Sequence, residues 1–171
     1  MKIGLGFIGA GVSAKPEVIS LIASTSESCG YHSLWAPEHI VLLDEYAAQY
    51  PYTSDGVMPF ETTAIDFMDP FLALTYASAV TEKIRLGTGI CLLPERHPVV
   101  TAKEVASLDK LSDGRFDFGA GIGWMKEEFE LKFNKIFEDI TADQMIDDKN
   151  ALDVAGEELD SLFSEINDFR F

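Results

Sequence analysis

The sequence predicts an α/β protein assembled from successive parallel βα units. Short apolar runs alternate with segments of helical period across the first 125 residues, and each run ends in glycine, charge or proline. At 47% hydrophobic and 11% aromatic residues, the 171-residue chain can bury a core within one domain or part of one. Four such units are half the content of an eight-stranded barrel, which takes about 250 residues, and a doubly wound sheet accepts the same pattern. Either architecture binds ligands beyond the carboxyl ends of its strands. The candidate site therefore comprises Gly9 to Gly11, Glu38 with His39, Gly89 to His97 and Gly121 to Trp124.

The first unit is a strand from about Lys2 to Gly9 and a helix that Pro16 opens and Gly30 closes, with Val18, Leu21, Ile22 and Cys29 on one face. A second strand, Ser33 to Ala36, runs into Pro37-Glu38-His39. The stretch from Ile40 to Asp66 is irregular and carries Tyr46, Tyr50, Tyr52 and Phe60; so long a connection inside a compact domain is usually functional. Asp69 and Pro70 form an N-cap and first turn, and the following FLALTYASAV is apolar nearly all round, as a buried helix is. In a third strand, Ile84 to Leu93, Ile84, Leu86, Thr88 and Ile90 alternate with Arg85, Gly87, Gly89 and Cys91. Pro98 opens a helix ending near Ser112. Arg115 to Gly121 forms the fourth strand, and a helix starts near Met125.

Charge limits the partners. The chain holds 13 basic and 29 acidic side chains, net −16, which excludes a nucleic-acid or anionic-membrane surface that needs clustered lysine and arginine. Residues 1–125 carry net −7 and residues 126–171 net −9, so the last quarter is a separate kind of sequence. Lys2 and the apolar run from Ile3 to Val12 mimic a signal peptide, but the glycines within that run argue against one. Two cysteines and three histidines make neither a disulfide framework nor a metal site, and reduced thiols point to a cytoplasmic protein.

Gly4-Leu5-Gly6-Phe7-Ile8-Gly9 spells the dinucleotide fingerprint. The fingerprint requires a helix opening at its glycines and an acidic residue about 20 positions on, whereas the helix here starts later and Glu38 lies beyond that distance. Glycine where another group approaches closely is the better reading. His39 at a strand end can act as acid, base or cofactor hydrogen-bond donor. Arg96 can bind an anionic group or pair with Glu95 on the surface. Gly119, Gly121 and Gly123 leave amides for a phosphate or flat ring, or thin the strand for packing, and Trp124 stacks on a ligand or fills the core.

The segments SLWAPEH and DPFLALTYASAVTEKIRLGTGICLLPERHPVVTAKEVASLDKLSDGRFDFGAGIGWMKEEFE resemble the luciferase-like monooxygenase superfamily, especially its coenzyme F-420-dependent oxidoreductase branch. The resemblance covers residues 1–130 and implies a partial TIM (β/α)8-type barrel. It implies FMN or the deazaflavin coenzyme F-420 at the strand ends, hydride exchange with a small organic substrate, oxygen chemistry in FMN members, and NAD(P)H as a possible reductant. It places Glu38 and His39 at the ring as catalytic residues, the histidine as a base in some deazaflavin members. It assigns Thr88, Gly89 and Ile90 to a bulge supporting the ring, where a non-prolyl cis peptide is usual, and Gly121, Gly123 and Trp124 to the cofactor, beside Gly9 and Arg96 from the residue reading. Family members continue through four further βα units. Residues 131–171 instead read as acidic amphipathic helix, with Thr141 and Gln144 as a capping box and Leu159, Leu162, Phe163 and Ile166 as a stripe. A half-barrel is expected to recruit a second copy, a partner bearing the missing half, or its own tail. The alternative expectation is a truncated, catalytically incompetent fragment with a binding role.

Overall fold

A computed structural model of the chain describes residues 1–131; the capping box and the stripe expected further on lie outside the described residues. Met1–Glu128 form one compact unit, and a second begins at Phe129. Within the first, β1 (Gly4–Leu5), β2 (Ser33–Ala36), β3 (Arg85–Thr88) and β5 (Phe116–Asp117) form a parallel sheet in the order β1-β2-β3-β5. Leu34 pairs with Leu86, and Leu86 with Phe116. A separate parallel pair, β4 (Cys91–Leu92) with β6 (Ala120–Gly121), continues two of these strands.

Local chemistry sets the helix limits. In α1 (Pro16–Ser28) proline occupies the first turn, where its missing N–H costs nothing. Gly30, at φ +78°, ends it; the Tyr31 and Gly30 amides donate to Ser26 and Glu27 carbonyls, closing the last turn as a left-handed cap does. Asp69 caps α2 (Pro70–Ser78) by accepting from the Leu72 amide at 3.0 Å. The third helix, α3 (Pro98–Leu111), again opens on proline.

The helices pack on one side of the sheet. Ile19 and Ala23 of α1, Ala73, Leu74 and Ala77 of α2 and Leu108 of α3 share a core with Leu34, Ala36, Ile84, Leu86 and Phe116. Each large apolar side chain buried there contributes about 1.5–3 kcal/mol. On the other face the Trp35 ring lies across Gly87, where a Cβ would sit 2.4 Å from it, and Arg85 pairs with Asp117.

Three expectations are corrected. The α1 face turned inward is Ile19, Ala23 and Ser26, with Ile22 beside it, while Leu21 is 65% exposed and Cys29 exposed. The small Ala23 and Ser26, three apart, let α1 approach the alanines of α2. Helix α2 is covered on one face, with Leu72 and Tyr76 open to solvent, because it lies on the outside of the sheet. The third and fourth strands are each broken in two: a cis Gly89–Ile90 peptide, the non-prolyl cis bond that the family resemblance implied at this bulge, separates β3 from β4, and Phe118 and Gly119 separate β5 from β6.

Candidate active site

The carboxyl end of β2 delivers Glu38 and His39, that of β3 delivers Gly89 and Ile90, and the segment after β6 delivers Ile122, Gly123 and Trp124 to one cleft of about 460 Å³. Phe7, following β1, and Tyr50, Tyr52 and Phe60 from the 40–66 connection line it as well. Small-molecule sites occupy about 300–1,000 Å³ and are lined mainly by apolar and aromatic groups, as this cleft is.

Glu38 and Arg96 hold each other. The Glu38 carboxylate accepts from the Leu92 amide at 2.5 Å and from Arg96 Nε at 2.8 Å, with Arg96 Nη2 on the same oxygen. Arg96 also reaches Asp69 at 2.5 Å and Glu104 at 3.0 Å, and its guanidinium lies over the Phe71 ring at 4.9 Å. Burial opposes the charge on Arg96, but the Glu38 and Asp69 carboxylates outweigh it and raise the guanidinium above its ordinary range. Burial, then the crowd of neighbouring carboxylates, raises Glu104 despite Arg96. Beside this cluster, burial and then the Glu38 charge push the Cys91 thiol up to about 12, which keeps it from acting as a thiolate. Arg96 thus ties the end of β2 to the N-cap of α2 and to Glu104 within α3, a buried structural tie where the sequence allowed an anion site or a surface pair.

His39 is held differently. Its Nδ1 lies 2.7 Å from Glu128 Oε2, and the other Glu128 oxygen accepts from the Val41 amide at 3.0 Å. The Phe67 and Trp124 rings meet the imidazole edge-on, with centroids at 5.5 and 5.9 Å. Trp124 also meets Tyr46 and Tyr50 at 5.6 and 5.1 Å, so this one residue joins the end of the β6 segment to the 40–66 connection. Glu127 accepts from the Ala47 and Ala48 amides at 2.6 and 3.2 Å; the Ala47 bond leads in holding its carboxyl below the ordinary value.

Of the residues expected at the site, Glu38, His39, Gly89, Ile90, Gly123 and Trp124 line the cleft, and Gly9, Thr88, Gly121 and Arg96 do not. Gly9, at φ +81°, lies where a Cβ would meet that of Ala73 at 2.7 Å, so it serves α2 packing. Thr88, fully buried, exchanges hydrogen bonds with the backbone of Gly119 at 2.8 and 2.9 Å. That exchange uses the Gly119 amide that the sequence left open to a ligand. A Cβ on Gly121 would lie 1.9 Å from Ile90 Cδ1, so this glycine makes room for a cleft residue without lining the cleft itself. The dinucleotide fingerprint is absent in space: α1 begins at Pro16, and Gly4 is small because a Cβ there would crowd Ser33 Oγ and Trp35 Nε1 at 2.7 and 2.8 Å. Sequence reasoning missed Glu128 and Phe7. Glu128 stood in the quoted WMKEEFE run, but nothing local ties it to a histidine 89 positions away.

The chain matches the model of a family described as luciferase-like monooxygenase over residues 8–139. It is 39% identical over 106 residues to an uncharacterised protein of Mycobacterium tuberculosis, a match covering 62% of this chain and 37% of that one. The chain thus spans little more than a third of the length of that curated relative. Among solved structures it resembles the coenzyme F420-dependent tetrahydromethanopterin reductase of Methanopyrus kandleri, with TM-score 0.51, 25% identity, and coverage of 80% of this chain and 30% of that one. It also resembles the oxygenating constituent of 3,6-diketocamphane monooxygenase from Pseudomonas putida, solved with FMN, with TM-score 0.55, 21% identity, and coverage of 77% and 32%. The parallel order β1-β2-β3-β5 is that of part of a TIM-type barrel. By this match, which spans most of its length, the chain belongs to the luciferase-like monooxygenase family.

Proposed function

We propose that the chain is the cofactor-binding part of a flavin- or deazaflavin-dependent oxidoreductase in which His39 exchanges a proton with an organic substrate. The observation that carries this is the His39 imidazole, fixed by Glu128 and lining the aromatic cleft at the strand carboxyl ends. The cleft suits a planar ring: Ile90, Ile122 and Trp124 offer apolar surface, and Gly123 leaves space without a side chain. Among its described lining residues there is no lysine or arginine, so the fit is to the ring and not to a phosphate tail.

When bound, the ring supplies hydride acceptance or donation. The residues of this chain do the rest. Cleft residues would hold the ring and orient the substrate carbon beside it, and His39 Nε2 would take the proton of a substrate hydroxyl, the bound ring being the group that would accept the hydride. An alcohol thereby becomes a carbonyl compound, and in the reverse direction both hydrogens return. NAD(P)H is the proposed reductant where oxygen is the other substrate, and a cytoplasmic setting follows from the reduced-thiol reading of Cys29 and Cys91.

Titration of the purified chain with FMN and with coenzyme F-420, followed by thermal melting, tests the proposal. Ring binding to the native state raises stability by about 2.7 kcal/mol when free ligand is a hundredfold over Kd. Gly121→Ala, which drives Ile90 into the cleft, is expected to weaken binding at least tenfold. A chain that neither cofactor stabilises favours instead the binding fragment.

A further inference from the structure

We propose that Glu128 is the positioning residue of His39: its carboxylate holds the imidazole as the Nδ1–H tautomer and leaves Nε2 as the proton acceptor facing the cleft. The inference rests on the proposed function in assigning a use to Nε2, but the tautomer itself is a property of the chain alone.

The geometry is restrictive. The Glu128 and His39 side chains are 2% and 10% exposed, so little water competes for either. Glu128 Oε1 already accepts from the Val41 amide, which fixes the plane of the carboxylate, and Oε2 then meets Nδ1 at 2.7 Å. An ionised carboxylate accepts and never donates, so the proton between the two groups belongs to Nδ1. A neutral imidazole carries one N–H, and its tautomer is set by the partner of the other nitrogen. Phe67 and Trp124, both edge-on to the imidazole, oppose rotation that would exchange the nitrogens. Glu38, next in the chain, is already held by Arg96 and is not the partner of the imidazole. A buried carboxylate behind a histidine performs the same orienting work in acid-base sites generally.

The test is nitrogen NMR of the full chain carrying ¹⁵N-histidine, with the three histidines, His32, His39 and His97, distinguished by a His39→Gln sample. The ring shifts of the neutral wild-type His39 are expected to show the Nδ1–H form, the opposite of what an unrestrained histidine favours. In Glu128→Gln, which keeps an acceptor for Val41, a mixture of tautomers is expected. A wild-type spectrum dominated by Nε2–H, or an unchanged Nδ1–H spectrum in Glu128→Gln, overturns the inference. Should that variant fail to fold, the wild-type spectrum decides alone. Titration of the wild-type chain with FMN and with coenzyme F-420 separates the two claims: binding of neither with an Nδ1–H His39 defeats the oxidoreductase reading and not the positioning role, and binding of either with an Nε2–H His39 does the reverse.

Discussion

Phe7 lines the cleft at φ +65°, a backbone region that costs a bulky residue about 1–3 kcal/mol and persists only where its surroundings enforce it. The enforcement is local: Ser13 Oγ donates to the Phe7 carbonyl at 2.7 Å, and the Ala10 amide adds a longer bond at 3.4 Å. The ring itself is 60% exposed, so it adds little to the core. Glycine at this position removes the strain but adds about 0.5–1 kcal/mol of unfolded-chain entropy. Phe7→Gly is therefore expected to change stability by no more than about 1 kcal/mol while weakening FMN binding several-fold, because an aromatic wall is lost. Thermal melting beside FMN titration checks this. A large loss of stability with unaltered FMN affinity would assign Phe7 to the fold instead.

Between elements, two charged groups carry more than their share. Glu27, near the end of α1, accepts from the amides of Glu82, Lys83 and Ile84 at the entry to β3, the shortest bond being 2.6 Å. Burial works against its ionisation, yet the Ile84, Lys83 and Glu82 amides outweigh that and lower its pKa from 4.5. A carboxyl lowered in the folded state contributes stability above its unfolded pKa and loses it as pH falls through the folded one. Wild-type stability is thus expected to drop as pH falls below about 4.5 by an increment that Glu27→Gln lacks, measured by urea unfolding across pH 3–7. Arg96→Ala leaves Glu38 buried without its partner and is expected to cost about 3–5 kcal/mol. Arg96→Lys restores only part, because one ammonium cannot serve Glu38, Asp69 and Glu104 together. A loss below about 1 kcal/mol in Arg96→Ala would show the cluster to be solvated. These cross-element ties also mark where sequence stops being legible. Helix starts at Pro16, Pro70 and Pro98 are local chemistry and were readable, as was the gathering of strand ends around His39. The face of α1 was not, since Ile19 and Ala23 are chosen by the alanines of α2. Nor were the pairing of Arg96 with Glu38 and that of His39 with Glu128, across 58 and 89 positions of the chain.

At the scale of the molecule, the parallel sheet ends at β1 on one side and β5 on the other among the described residues, and ladder ends invite pairing. Along the chain on either side of β1, Ile3 is 49% exposed and Val12 88%. Single exposed apolar residues are ordinary, but those flanking an unpaired strand favour a contact surface. We propose that a second copy of the chain covers this end. Sedimentation equilibrium over micromolar concentrations is expected to show dimers, and Ile3→Lys to shift them to monomers with unchanged helical circular dichroism, because a charge on an edge strand opposes pairing without entering the core. A wild-type chain that stays monomeric at the highest concentration, or an Ile3→Lys variant that dimerises equally well, removes β1 as the interface. Ring binding is a separate matter, since Ile3 is not among the residues that line the cleft. FMN affinity in Ile3→Lys is accordingly expected to match wild type within about twofold, and a larger loss would mean that the copies complete each other's cleft.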